Sequence, residues 1–114
     1  MKADALTMSL LFDYYGELLT EKQKTCFDLY YNQDLSLSEI AEQEGITRQG
    51  VHDTLARAEA LLFGLEEKTG CIRRSSEVQK AVKTITAAAQ KLQGIEQAKA
   101  LAEEILAAAG KIKE

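Results

Sequence analysis

The chain has 114 residues, of which 46% are hydrophobic and 28% are charged, a composition that excludes a disordered or collagen-like protein. It contains no proline, and no run of eighteen apolar residues that could span a membrane. The start of the chain lacks the pattern of a signal peptide, and Cys26 and Cys71 lie far apart. We therefore expect a cytoplasmic protein with reduced thiols and no membrane insertion.

Charge is distributed unevenly along the chain. Residues 1–70 hold 6 Lys and Arg against 13 Asp and Glu, whereas residues 71–114 hold 8 against 5. Non-specific nucleic-acid binding depends on neutralising phosphates. The acidic front segment is therefore poorly suited to avid, non-specific DNA binding.

Capping signals predict an all-α fold of six helices. The first is expected near residues 4–15, and the second opens with a capping box at Thr20 and runs to residue 32. Ser36 opens the third, which Gly45 closes, and Thr47 caps a fourth that runs to about residue 68. Ser76 opens the predicted fifth helix, and a sixth covers about 95–109. No segment alternates as a β-strand would.

Residues 37–61 have the pattern of a helix-turn-helix, in which two short helices cross over a tight turn. Ala41 supplies a small residue where the backbones meet, and Gly45 supplies a residue that tolerates positive φ. Apolar residues occupy the positions where the two helices would face each other: Leu37, Ile40, Ile46, Val51 and Leu55. The alternative is an ordinary helical hairpin within an unrelated bundle.

The same residues carry a family resemblance. Residues 35–62 resemble the fourth conserved region of bacterial sigma factors. The segments SLLFDYYGELLTEKQ (9–23), FDLYY (27–31), DLSLSEIA (34–41) and TRQGVHD (47–53) resemble the YlxM family more specifically, over about residues 8–68. Gly50 and His52 stand where that family usually has Ala and Tyr.

The YlxM resemblance implies a small cytoplasmic bacterial protein with a regulatory or accessory role in the signal recognition particle pathway. Its partner would be the particle's GTPase, its RNA, or both. The second hypothesis is a transcriptional regulator that reads duplex DNA with the helix starting at Thr47. The acidic front segment favours the first hypothesis, and the helix-turn-helix itself favours the second.

The candidate binding residues form the outward stripe of the fourth helix. They are Thr47, Arg48, Gln49, His52, Asp53 and Arg57. Arg48 and Gln49 stand at the end that enters a major groove in such motifs, and their side chains suit guanine and adenine edges. Residues 47–60 carry no net charge, so contact with a protein, with RNA or only with solvent stays open.

The sequence divides into a helix-turn-helix domain at 1–70 and a C-terminal antiparallel helical hairpin at 71–114. Apolar residues recur by three and four in both back helices: Val78, Val82, Ile85, Ala89 and Leu92, then Ile95, Ala98, Ala102, Ile105 and Ala109. These stripes would pack the hairpin together or onto the front helices. Alternatively, residues 76–109 form the seam of a homodimer.

Nothing in the sequence predicts an enzyme, a cofactor or a metal site. His52 is the only histidine, and it has no partner cysteines at metal-ligand spacing. No glycine-rich phosphate loop is present. Adjacent glutamates, as at 66–67 and 103–104, diverge on a helix and indicate solvated faces rather than a catalytic pair. An aromatic cluster is expected in the core: Tyr14, Tyr15, Phe27, Tyr30 and Tyr31.

Overall fold

A computed structural model describes residues 4–112 and confirms the all-α class, since no strand occurs in this range. Its six α-helices are α1 (Ala5–Tyr15), α2 (Glu21–Phe27), α3 (Leu37–Glu44), α4 (Arg48–Thr69), α5 (Cys71–Leu92) and α6 (Lys99–Gly110). Short 3-10 turns follow α1 and precede α6, at Gly16–Leu18 and Glu96–Ala98. A π turn, Asp28–Asn32, extends α2 to the end that the sequence predicts.

The predicted caps of the front helices are confirmed. The Thr20 hydroxyl accepts from Gln23 N at 3.1 Å, and the Gln23 side chain accepts from Thr20 N at 2.9 Å. Ser36 and Glu39 make the same reciprocal pair at the start of α3. These boxes satisfy backbone donors that the first turn of a helix leaves unpaired, and they fix where α2 and α3 begin.

The predicted start of the fifth helix at Ser76 is wrong, because α5 begins at Cys71 directly after Gly70. Gly70 has φ 62° and ends α4 as a left-handed cap. The Glu66 carboxylate accepts from Ile72 N at 3.0 Å, so a side chain of α4 caps the next helix. The cap lies upstream of the Ser76 motif, which becomes part of the second turn of α5.

The chain forms two compact units, Met1–Ile72 (the front unit) and Arg73–Glu114 (the back unit). The front unit packs α1, α2 and α3 around α4. Its fully buried side chains include large residues from every one of these helices: Met8, Leu11, Cys26, Phe27, Ile40, Val51 and Leu62. This core fixes the orientation of α4 and therefore of the residues on its outer face.

The aromatic cluster is only partly the one expected. Phe27 stacks on Phe12 with ring centroids 4.8 Å apart and contacts Tyr31 at 4.6 Å. Tyr15 is buried, whereas Tyr14 is exposed. Adjacent residues on a helix point about 100° apart, so only one of the two tyrosines can lie on the buried face of α1. Tyr15 lies on that face with Met8 and Leu11, and Tyr14 lies on the surface.

The helical spacing that predicts α1 is only partly the face that α1 buries. Of the four apolar residues at that spacing, Leu11 is buried, whereas Leu6, Leu10 and Tyr14 are exposed. Met8, which does not belong to that spacing, is buried as well. The first helix thus carries apolar residues on two sides, and only one side meets the core.

The back unit buries fewer of the predicted stripe residues than expected. Ala89, Ala102 and Ala109 are buried, together with Ser75. The larger members of the predicted stripes are exposed: Ile85, Leu92, Ile95 and Ile105. The two stripes therefore do not each form one buried seam. Within residues 4–112, no helix is both long and apolar enough to cross a membrane.

Candidate functional site

The turn between α3 and α4 has the geometry that a helix-turn-helix requires. Gly45 adopts φ 68° and ψ 32°, the left-handed conformation that non-glycine residues avoid. Ile46 N donates to Ala41 O at 3.1 Å, and Ala41 is buried beneath the turn. The positive φ and the buried small residue were both expected from the sequence, and both are confirmed.

The start of α4 is fixed by Thr47, whose hydroxyl accepts from Gly50 N at 2.9 Å. A methyl group added to Gly50 would lie 3.1 Å from that hydroxyl oxygen and 3.8 Å from Ile46 Cδ1. Gly50 therefore leaves room for the cap, although glycine within a helix costs roughly 1 kcal/mol relative to alanine. The end of α4 nearest the turn is held by this cap and by the turn itself.

The two faces of α4 separate as the sequence predicts. The inward face buries Val51, Leu55, Ala58 and Leu62. The six candidate residues are all exposed, and we call them the recognition face: Thr47, Arg48, Gln49, His52, Asp53 and Arg57. The fold therefore leaves all six candidate residues accessible along the first half of α4.

A hydrogen-bonded group occupies the middle of the recognition face. Gln49 Nε2 donates to Asp53 Oδ1 at 3.0 Å, and His52 Nδ1 lies 3.4 Å from the same oxygen. Two hydrogen bonds lower the pKa of Asp53 below its usual value: the one from Gln49 has the largest effect, and the one with His52 the next largest. The Asp53 carboxylate therefore stays ionised at neutral pH and takes up one donor of the Gln49 amide.

The surface around the recognition face is acidic. Residues 36–60 contain two arginines and five carboxylates. Three of these carboxylates, Glu39, Glu42 and Glu44, are exposed on α3. Two hydrogen bonds with Ser36 lower the pKa of Glu39; the one with the Ser36 backbone has the larger effect and the one with the Ser36 side chain the smaller. This carboxylate therefore also stays ionised at neutral pH. A phosphate backbone approaching this motif would meet more negative than positive charge.

A small cavity beside the recognition face was not anticipated from the sequence. It measures about 90 Å³ and is lined by Tyr30, Leu37, His52, Leu55, Ala56 and Glu59. The Tyr31 hydroxyl donates to Glu59 Oε1 at 2.6 Å and holds this carboxylate at the cavity wall. The π turn supplies Tyr30 and Tyr31, so a long-range contact builds the cavity.

The described residues offer no obvious reaction chemistry. Among residues 4–112, no group of three His, Cys, Asp or Glu side chains is placed to hold a metal ion. Cys26 and Cys71 are not joined in a disulfide, and burial raises the pKa of Cys26, which keeps that thiol protonated.

Comparison with known proteins agrees with this geometry. A family model described as "Putative helix-turn-helix protein, YlxM / p13 like" (UPF0122) matches residues 2–102. UPF0122 proteins of Desulforamulus reducens, Thermoanaerobacter sp. and Clostridium novyi are 55%, 53% and 46% identical to this chain over 75, 78 and 82 residues. The alignments cover 66%, 68% and 72% of this chain.

The same alignments cover 64%, 67% and 71% of the relatives, so the chain spans about two thirds of the length of the proteins it matches. The family expected from the sequence is the family found. With a helix-turn-helix of the required geometry, a family model over most of its length and relatives at this identity, the chain belongs to the UPF0122 family of YlxM/p13-like helix-turn-helix proteins.

Proposed function

We propose that this chain is a non-enzymatic regulatory or accessory protein of the signal recognition particle pathway. In this proposal the recognition face binds the particle's GTPase or its RNA. The YlxM resemblance supports the pathway, and the exposed outer face of α4 supports a binding role. The protein would act by occupying a surface of its partner rather than by chemistry of its own.

One observation supports a protein partner over a nucleic acid most directly. Asp53 lies in the centre of the recognition face and is already hydrogen-bonded to Gln49. A base edge would have to compete with this carboxylate for the Gln49 amide, and the acidic α3 beside it would repel phosphates. A basic protein surface meets neither obstacle, so the GTPase is the preferred partner within the particle.

The test is a titration of the full-length protein against the purified GTPase, its RNA, and their complex. The double substitution Arg48→Ala/Gln49→Ala should weaken GTPase binding by about tenfold or more, because it removes a charged donor and an amide from the interface. Lys68→Ala removes the same charge about 30 Å further along α4 and should leave the affinity within about twofold.

Two outcomes would contradict the proposal. One is the absence of binding to the GTPase, to the RNA and to their complex. The other is binding that is equally strong in the double variant and in the Lys68→Ala control. Binding to the RNA alone would keep the pathway and replace the protein partner.

A second candidate, a DNA-binding transcriptional regulator, is favoured by the position of Arg48 and Gln49. Both are exposed in the first turn of α4, which is the part of a recognition helix that reaches base edges. This candidate requires sequence-selective duplex binding that the Arg48→Ala/Gln49→Ala variant lacks.

A further inference from the structure

The back unit leaves most of its large apolar side chains uncovered. Six of them are between 37% and 63% exposed: Ile85, Leu92, Ile95, Leu101, Ile105 and Ile112. The residues that it buries are alanines and one serine. Chains of about 40 residues seldom bury enough apolar surface to be stable alone, and association is one usual remedy. The back unit therefore has an apolar surface in need of a partner.

Part of this surface is a regular stripe along α5. We define the α5 stripe as Val78, Ala81, Ile85, Ala88 and Leu92. Its members are separated by three and four residues in alternation, the spacing that keeps a stripe facing one neighbouring helix. Val78 is half-buried and the other four are exposed. The stripe runs beside the buried Ala89 but is distinct from it.

We propose that the α5 stripe pairs with the same stripe of a second copy of this chain, antiparallel, to form a two-fold symmetric dimer. The order of residues is self-complementary about Ile85. In two antiparallel copies, Ile85 meets its own counterpart, Val78 lies opposite Leu92, and Ala81 lies opposite Ala88. Such an arrangement is what an isologous interface requires, and the alanines allow the two backbones to approach closely.

Charge on the flanks of the stripe fits the same pairing. Glu77 and Lys91 are exposed and lie on one side of the stripe, almost equally far from Ile85 along the chain. In the antiparallel dimer each Glu77 faces Lys91 of the second copy, which gives two opposite-charge contacts. Lys83 projects from the side of α5 opposite to the stripe by helical spacing, and Lys80 lies on the same flank as Lys91 but further from the stripe than Glu77.

The back unit also supplies area beyond α5. Leu101, Ile105 and Ala108 repeat the spacing of four and three on α6, and Ile112 follows just after the end of the helix; all four are exposed. A specific interface usually needs about 800 Å² from each partner, which is more than one stripe of five small and medium side chains offers. The exposed residues of α6 are the remaining apolar surface of the back unit from which the rest of that area would come.

Sedimentation equilibrium on the full-length protein tests the proposal, since a dimer has twice the monomer mass of 12.6 kDa. Ile85→Glu places two carboxylates at the symmetry axis and should raise the dimer Kd by at least about 100-fold. Gln90→Glu adds the same charge at an exposed position on the side of α5 opposite to the stripe and should leave the Kd within about twofold. A loss of dimer in both variants, or in neither, would overturn the interface.

A charge exchange tests the register without touching the apolar residues. Glu77→Lys and Lys91→Glu should each raise the dimer Kd by about fivefold, because like charges then face each other across the axis. The double variant Glu77→Lys/Lys91→Glu should restore the original Kd, even if Ile85→Glu disturbs folding. A wild-type protein that stays at 12.6 kDa up to about millimolar concentration, or a double variant no better than the single variants, would refute the proposal.

Discussion

The front and back units bury different kinds of side chain. The front unit closes its core with large residues such as Phe27, Ile40 and Leu62, whereas the back unit buries mainly alanines. Each buried large side chain contributes roughly 1.5–3 kcal/mol, and an alanine methyl contributes much less. We therefore expect the front unit to fold by itself, and we expect the stability of the back unit to depend on covering its exposed apolar residues.

The two parts also differ in charge. Residues 1–70 carry an excess of seven negative charges, and residues 71–114 carry an excess of three positive charges. The motif with the shape of a DNA reader thus lies in the acidic part of the chain. The shape of the motif favours DNA as a partner, whereas the charge around it disfavours DNA. In our proposal the carboxylates beside the recognition face outweigh the shape, and the partner is a protein.

Separating the units gives the largest expected effect. A fragment of residues 1–72 should retain helical circular dichroism and a cooperative thermal transition. A fragment of residues 73–114 should lose most of its helical signal on dilution, since its stability would come from association. The comparison fails if the first fragment is unfolded, or if the second keeps its helical signal at every concentration.

The second largest expected effect is the loss of stability on truncating a side chain at the centre of the front unit's core. Phe27→Ala removes a buried ring that stacks between Phe12 and Tyr31 and should lower the free energy of unfolding by about 3–5 kcal/mol. Phe63→Ala, at a position 45% exposed, should change it by less than about 1 kcal/mol. Urea denaturation measures both values, and similar losses in the two variants would contradict the assigned core.

Removing one buried hydroxyl should have a moderate effect. The Tyr15 hydroxyl donates to Glu66 Oε1 at 2.6 Å and lies 2.7 Å from Thr69 Oγ1. Tyr15→Phe should therefore lower the free energy of unfolding by about 1–2 kcal/mol. Tyr14→Phe, on the exposed side of α1, is the matched control and should have almost no effect.

The same residue gives a pH dependence. Burial of the Tyr15 side chain is the main cause that raises its pKa above the usual value of 10.0, and the hydrogen bond to Glu66 is the second. The folded state holds this proton more tightly than the unfolded state does, so the contribution is complete below pH 10.0 and is lost as pH rises through the folded pKa. The alkaline loss of stability should shrink in Tyr15→Phe and persist in Tyr14→Phe.

Two glycine substitutions should give the smallest effects, with opposite signs. Gly45→Ala forces a methyl-bearing residue into a left-handed turn and should cost about 1–2 kcal/mol. Gly64→Ala lies inside α4, where the added methyl group meets nothing within 4 Å, and should stabilise the protein by up to about 1 kcal/mol. Equal shifts in melting temperature for the two variants would contradict the turn geometry.

The features that sequence predicts correctly here are local. Thr20 and Ser36 make capping boxes with residues three positions away, and Gly45 is required by one turn. The start of α5 was mispredicted because its cap comes from Glu66, within an arrangement that also involves Tyr15. Nothing in the spacing of residues 71–79 reveals a cap supplied by the preceding helix.

The sequence does not reveal features that depend on tertiary packing, such as which apolar face of a helix contacts the core. On α1, the apolar spacing predicts the helix and includes Leu11, which is buried, but tertiary packing adds Met8 to the core and leaves Leu6 exposed. The cavity beside His52 likewise requires the π turn to meet α4. The exposure of the recognition face was predictable, because the first half of α4 carries its large apolar residues, Val51 and Leu55, on one side, and the outer residues follow from helical spacing.

The most direct test of the account is a titration of duplex DNA with the full-length protein at two salt concentrations. We predict no binding tighter than about 10⁻⁵ M at physiological salt, because the motif presents more carboxylates than arginines to the phosphates. Tight, sequence-selective binding that Arg48→Ala/Gln49→Ala abolishes and Lys68→Ala preserves would contradict the account and identify a DNA-binding regulator.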